Sequence, residues 1–105
     1  MFHDSKLVEP DLSKPSVRGL AWLLRHPERW PADFEFDFRD SYTCAKGLAH
    51  RQWPNEVPPP LFSEYIARAL GITEAQADSI FDGKRLWRTL DISPEAIAAD
   101  LDALA

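Results

Sequence analysis

The sequence predicts a mainly α domain, a compact bundle of four to five short helices with one short aromatic extended segment at about residues 33–39. Apolar residues recur at three- and four-residue spacing in several separate stretches, which is the period of an amphipathic helix. Helix start and stop signals flank most of these stretches. Hydrophobic residues make up 45% of the 105 residues and aromatic residues 11%, which is enough for a folded core.

The first helix is predicted from about Ser16 to Arg25. Its apolar residues fall on one stripe, and Pro27 disfavours helical geometry at the residue before it and so ends the helix. We assign residues 1–15, which are polar and contain two prolines, to an extended N-terminal arm. Residues 16–105 are expected to form a single helical domain. The predicted stripe consists of Val17, Leu20, Ala21 and Leu24.

An aromatic segment follows the first helix. Phe34, Phe36 and Phe38 alternate with charged residues, which is the period of a half-buried strand. No second stretch has this pattern. The segment therefore pairs with a short extended piece, forms an irregular arm that places three rings in the core, or adds a strand to a partner's sheet, which requires an exposed edge.

A further helix is predicted from roughly Tyr42 to Gln52, with Lys46 and Arg51 on its solvent-facing side. Trp53 and Pro54 end it, and the prolines up to Pro60 indicate a stiff extended connector.

Two short helices around a glycine turn come next, over residues 60–83. Pro60 suits the first turn of the first of them, with Phe62 on its buried stripe, and Gly71 supplies a left-handed closing residue. Thr73 and Gln76 have the spacing of a capping box for the second helix, which Gly83 closes.

The last helix begins at Ser93–Pro94–Glu95, where a capping serine precedes a proline and an acidic residue. Its apolar stripe is Ile97, Leu101 and Leu104.

The net charge of −5 is concentrated at the end of the chain. No lysine or arginine follows Arg88, and the acidic residues beyond it are Asp91, Glu95, Asp100 and Asp102. An acidic chain is a poor non-specific binder of phosphate. The acidic last helix instead predicts a protein partner with a basic surface.

Compartment and cofactors are inferred from what the sequence lacks. It has one cysteine, Cys44, so an intramolecular disulfide is impossible and a cytoplasmic location is expected. No run approaches the roughly 18 apolar residues of a membrane span, and the first residues do not resemble a secretory signal. We find no phosphate loop, dinucleotide fingerprint or close metal-ligand spacing. We therefore expect no membrane association, no cofactor and no metal.

The stretch IARALGITEAQADSIFDGKR resembles the helix-turn-helix of Cro/repressor-type DNA-binding domains, whose second helix enters the major groove. This resemblance implies an alternative function, sequence-specific DNA binding by residues 61–88, although several carboxylates would oppose the phosphates. It also implies that replacing Lys84 and Arg85 together by Glu abolishes DNA retention without lowering the melting temperature. The implied DNA-binding residues are Gln76, Ser79, Lys84, Arg85 and Arg88.

A wider resemblance covers roughly residues 16–104. The segments CAKGLAHRQW, LGITEAQADSIFDG and ISPEAIAADLDAL look like those of a set of small uncharacterised bacterial and phage-associated proteins. Those proteins pair a Cys-Ala-x-Gly helix with a helix that ends in Phe-x-Gly. The resemblance implies a helical fold and no particular activity.

The function favoured by the sequence is a small non-catalytic protein-binding or regulatory module. A thiol enzyme is less favoured, because Cys44 and His50 are six residues apart and would lie on different sides of a helix. Tryptophan and arginine are enriched at interfaces, and one of the four tryptophans would also suit a homodimer. The predicted partner-binding residues are Arg18, Trp22, Arg25 and Trp87.

Overall fold

The computed structural model describes residues 9–40, 42–82 and 84–105, and of Lys84 only the backbone. The mainly α fold is confirmed: this part of the chain contains six α-helices, a short 3₁₀ helix at Pro27–Arg29 and no strand. The radius of gyration of 12.8 Å matches the value of about 13 Å for a compact domain of about 100 residues. The α-helices are α1 (Val17–Leu24), α2 (Ala45–Gln52), α3 (Ser63–Leu70), α4 (Glu74–Phe81), α5 (Lys84–Trp87) and α6 (Pro94–Asp102).

Local side chains fix the ends of the helices. The hydroxyl of Ser16 accepts a hydrogen bond from the Gly19 amide and caps α1. Thr73 and Gln76 form the predicted capping box at the start of α4, and Ser93 caps α6. Gly71 closes α3 with φ of 72°, a conformation that a residue with a Cβ adopts only at a cost. The predicted closure of α4 at Gly83 lies outside the described residues.

The core is built around the packing of α1 against α6, which is the most extensive helix contact. The α3–α4 hairpin is the second. All four residues of the predicted α1 stripe are buried, as are Ile97 and Leu101 of α6. Leu48 of α2 joins the same core. One continuous hydrophobic cluster therefore holds helices from both halves of the chain.

The aromatic segment is an irregular arm. Phe34 and Phe38 are buried and Phe36 is partly buried, and no strand forms in residues 31–40. Trp30 contacts the rings of Phe34 and Phe36, with centroids 5.4 and 6.3 Å apart, and donates its indole N–H to the Leu23 carbonyl at 2.7 Å. The rings thus pack against the domain without the backbone pairing that a strand would need.

The described part of the N-terminal arm, residues 9–15, lies against the helical domain. The carbonyl of Leu12 accepts hydrogen bonds from the indole N–H of Trp53 at 2.8 Å and from Gln52 at 3.4 Å. Glu9 forms an ion pair with Arg29 at 2.6 Å. The prediction for residues 1–8 lies outside the described residues.

Four sequence predictions need correction. Helix α3 begins at Ser63 and not at Pro60, because Leu61 takes a φ of 63° that turns the chain and places Leu61 in the core. Phe62, predicted to be buried, is therefore exposed at the N-cap. Lys46, predicted to be solvated, is buried, with its Nζ 3.8 Å from Asp82. Helix α2 starts at Ala45, three residues later than predicted.

We expect Gly47→Ala to destabilise the protein by about 3 kcal/mol, because overpacking against a fixed backbone is costly. A Cβ at residue 47 would lie 2.1 Å from the backbone oxygen of Tyr42. The control is Gly71→Ala, which has no atom within 4 Å and should cost only about 1–2 kcal/mol for its left-handed backbone. Urea denaturation of both variants tests this; a milder effect at residue 47 than at residue 71 would contradict the packing at Tyr42.

Candidate interaction surface

Trp87 is the most exposed large hydrophobic side chain of the described residues, at 88%. It lies at the end of α5, a helix of only four residues. Leu90, three residues later, is 44% exposed, and Arg88 between them is also exposed. We call Trp87, Arg88, Leu90 and Asp91 the Trp87 surface. Large apolar side chains grouped in this way mark binding sites more often than single exposed residues do.

Arg85 anchors the helix that carries this surface. Its side chain is buried, its Nε donates to the Asp91 carbonyl at 2.6 Å, and its Nη1 pairs with the Asp100 carboxylate. A four-residue helix is too short to be stable alone. The buried guanidinium therefore holds α5 to α6 and to the loop between them.

The loop after α5 contains a strained residue. The Leu90 amide bonds to the Arg85 carbonyl and the Thr89 amide to the Leu86 carbonyl, which is the Schellman pattern at a helix end. This pattern requires a left-handed residue, and Thr89 supplies it with φ of 54°. A β-branched residue pays about 1–2 kcal/mol for this backbone, and such strain is concentrated at functional segments.

An apolar groove of about 410 Å³ lies beside this surface, between α4 and α6. Helix α4 contributes one wall, the end of α6 contributes the other, and residues of the Trp87 surface complete it. We call it the α4–α6 groove. It is lined by Ala75, Gln76, Ser79, Ile80, Arg88, Leu90, Asp100, Ala103 and Leu104.

The acidic residues of the C-terminal segment are mostly engaged within the protein. Arg25, the C-cap of α1, binds Asp102 at 2.6 Å and Glu95 at 3.2 Å, and Arg85 binds Asp100. Burial lowers the pKa of Arg25, but the hydrogen bonds to Asp102 and Glu95 raise it more, so that the pKa lies above its ordinary value. Three of the four acidic side chains that follow Arg88 are thus in ion pairs within the protein.

Asp91 is the exception. Its carboxylate accepts a hydrogen bond from the Ser93 amide at 2.8 Å, which holds the pKa of Asp91 below its ordinary value. Asp91 is exposed and forms no ion pair with a described side chain. Arg88 is likewise exposed and is in no ion pair within the described part of the chain. The Trp87 surface thus carries one positive and one negative charge that are exposed and in no ion pair among the described residues.

The predicted partner-binding residues are not gathered in one place. Trp22 is only 7% exposed; its ring stacks on His26 at 4.0 Å, with the Arg29 guanidinium 5.3 Å from its centroid. Arg25 is held in its two ion pairs. Arg18 is exposed but does not line the α4–α6 groove. Of the four residues, Trp87 offers a partner the most surface.

The predicted DNA-binding residues also have structural neighbours that the sequence did not reveal. Gln76 accepts the Thr73 amide at 2.9 Å, and both Gln76 and Ser79 line the α4–α6 groove opposite α6. Arg85 is buried in its ion pair, Arg88 is exposed, and the side chain of Lys84 lies outside the described residues. Of Arg85 and Arg88, only Arg88 has an exposed side chain.

Cys44 is buried at the N-cap of α2. It borders a cleft of about 200 Å³ together with Phe38, Arg39, Lys46, Phe81, Asp82 and Leu86. The Nδ1 atoms of the two histidines considered as bases are engaged elsewhere, that of His50 with the Val57 carbonyl and that of His26 with Glu28. No group of three or more His, Cys, Asp or Glu residues that could hold a metal ion occurs among the described residues.

The sequence analysis missed most of the groove. Leu90, Ile80 and Leu104 meet there because α5 and the following loop bring the end of α6 beside α4. One signal was present: KRLWRTL contains three large apolar residues in seven, the density of an amphipathic helix, in a stretch to which no helix was assigned.

No family model, curated protein or solved structure matches the chain. In the described part of the chain, no helix is both long and apolar enough to cross a bilayer.

We expect Arg85→Glu to lower stability by about 3 kcal/mol, because it buries a carboxylate against Asp100 and leaves both unpaired. This corrects the expectation that Arg85 can be replaced without lowering the melting temperature. The matched control is Arg88→Glu, at an exposed position three residues later, which should change stability by less than about 0.5 kcal/mol. Thermal denaturation by circular dichroism measures both; equal melting temperatures would show that Arg85 is not an anchor.

Proposed function

We propose that the protein is a small non-catalytic protein-binding or regulatory module that contacts its partner through the Trp87 surface. The observation that carries this proposal is the exposure of Trp87, 88% on a helix that a buried arginine fixes in place. Tryptophan and arginine are the residues most enriched at interaction hot spots. Trp87 and Arg88 are adjacent on this surface.

The energetics support a contact site here. An aromatic side chain buries roughly 150–250 Å², and at about 25 cal/mol per Å² its removal from water favours association by several kcal/mol. Much of that gain offsets the entropy lost on binding. Because Arg85 and the Schellman pattern already fix α5, little further ordering of the backbone is needed. A preorganised tryptophan is an efficient anchor for a partner.

The expected partner is less basic than the sequence suggested. Glu95, Asp100 and Asp102 are in ion pairs with Arg25 and Arg85, and the two exposed charges of the Trp87 surface itself, on Arg88 and Asp91, have opposite signs. An apolar contact with polar groups at its rim, the usual anatomy of an interface, fits this surface better than a purely electrostatic one.

We expect a photo-crosslinking amino acid at position 87 to capture a specific partner in the cells that naturally make the protein. The same amino acid at position 52, an exposed site beside the N-terminal arm, is the control. The purified partner should then bind the Trp87→Ala protein at least about tenfold more weakly, the loss typical of a hot-spot residue, and the Gln52→Ala protein with unchanged affinity. Absence of any product specific to position 87 would contradict the proposal.

DNA binding is the second proposal, and the geometry of the α3–α4 hairpin favours it. Gly71 and the Thr73–Gln76 capping box give the short turn between two helices that the resemblance implies. Against it, Arg85 is buried and α6 stands opposite Gln76 and Ser79. A duplex would meet a surface with little positive charge.

We expect no salt-sensitive binding of a fluorescent mixed-sequence duplex, measured by anisotropy from low to moderate ionic strength. The charges of Arg88 and Asp91 cancel, so the Trp87 surface has no net positive charge with which to displace counterions from the duplex. Binding that weakens steeply with salt and is lost in Arg88→Glu, but not in Arg18→Glu, would instead support the DNA-binding function.

A further inference from the structure

We propose that the partner of the Trp87 surface is a second copy of this chain, and that each Trp87 occupies the α4–α6 groove of the other copy. This inference rests on the proposed function, since it names the partner of the same surface. It makes the protein a two-fold symmetric dimer.

The exposed Trp87 ring projects from the same short segment of chain that lines the α4–α6 groove. Trp87 is followed directly by Arg88, which lines the groove, and Leu90 lines it as well. In a two-fold interface the same patch is used twice, so each contact must be reciprocal. A ring adjacent to a groove meets this condition, because one rotation axis between the copies brings both rings to both grooves.

The α4–α6 groove is large enough to hold the Trp87 ring. A cavity of about 150 Å³ lined by apolar side chains holds a benzene molecule. The α4–α6 groove, at about 410 Å³, has room for an indole ring and for neighbouring atoms. Its walls offer Ile80, Leu104 and Ala103 to the ring, and Gln76 and Ser79 offer polar atoms to the indole N–H.

The charges of the Trp87 surface are complementary to those of a second copy. Arg88 and Asp91 are both exposed, neither is in an ion pair within the described residues, and their charges cancel. A patch with one charge of each sign is complementary to itself, because rotation about a two-fold axis can place Arg88 of one copy opposite Asp91 of the other. A strongly acidic patch would repel its copy, and the ion pairs of Arg25 and Arg85 reduce that repulsion.

Other modes of partner binding fit less well. The described residues contain no strand, so no sheet edge is present to which a partner could add a strand. A purely basic partner would gain from Asp91 but would be opposed by Arg88.

The test is sedimentation velocity of the full chain over a range of about 10–500 µM, a range suited to standard-sized and weaker interfaces. We expect a monomer–dimer equilibrium in the unaltered protein. Trp87→Ala should weaken dimerisation about tenfold or more, and Arg68→Asp, at an exposed arginine of α3 that does not line the groove, should leave the dissociation constant unchanged.

The charge contact is tested by reversal. Arg88→Asp alone and Asp91→Arg alone should each weaken the dimer about fivefold to tenfold, whereas the double variant should recover to within about threefold of the unaltered protein, as a coupled pair requires. Melting temperatures confirm that each variant is folded. Because the Asp91 carboxylate also accepts the Ser93 amide, Arg88→Asp protein mixed with Asp91→Arg protein gives an independent test. Both contacts in that heterodimer join opposite charges, whereas both contacts in either homodimer join like charges, so the mixture should dimerise more tightly than either variant alone.

A protein that stays monomeric over the whole range overturns the inference, as does a dimer that Trp87→Ala and Arg88→Asp leave unchanged. These outcomes differ from failure of the proposed function. A monomer whose position 87 still crosslinks to another protein retains the Trp87 surface as a binding site for a different partner. A monomer with no crosslink from position 87 contradicts both proposals.

Discussion

The shortness of its helices is the constraint on which this structure depends. Among the described residues no helix exceeds nine residues, and isolated helices of fewer than about 12–15 residues are marginal in water. Each helix therefore persists only because it buries a stripe in the common core. The α1–α6 pair supplies the centre, with Leu20, Ile97 and Leu101 almost fully buried. Two arginines, Arg25 and Arg85, then attach α6 to α1 and to α5 by ion pairs.

The features of the fold that depend on nearby residues could be read from the sequence. The caps at Thr73 and Ser93 and the closure at Gly71 are set by hydrogen bonds within a few residues, and all appear where the sequence placed them. Features that depend on distant contacts could not be read. Leu61 takes a positive φ because the core behind it accepts its side chain, and nothing in the proline-rich connector signals that.

The candidate surface was predictable only in part, for the same reason. Trp87 stood out as a partner-facing residue from its type and position, whereas the groove beside it needs α4, α6 and the loop to meet. The acidity of the last helix is clear in the sequence, but the sequence does not show that Arg25 and Arg85 pair with Glu95, Asp100 and Asp102 and offset about half of the negative charge after Arg88. The charge of a helix counted from its own residues overstates the charge that a partner meets, because residues of opposite charge elsewhere in the fold can pair with it.

Asp100 connects the interior of the protein to its surface. One of its oxygen atoms binds the guanidinium of Arg85, while about half of its side chain remains exposed to water in the α4–α6 groove. Filling that groove with an apolar ring would remove water from this carboxylate, and the attraction between Asp100 and Arg85 would grow as the local dielectric constant falls. Occupancy of the groove and rigidity of α5 are thereby thermodynamically linked. The helix that presents Trp87 would be held most firmly when the groove beside it is full.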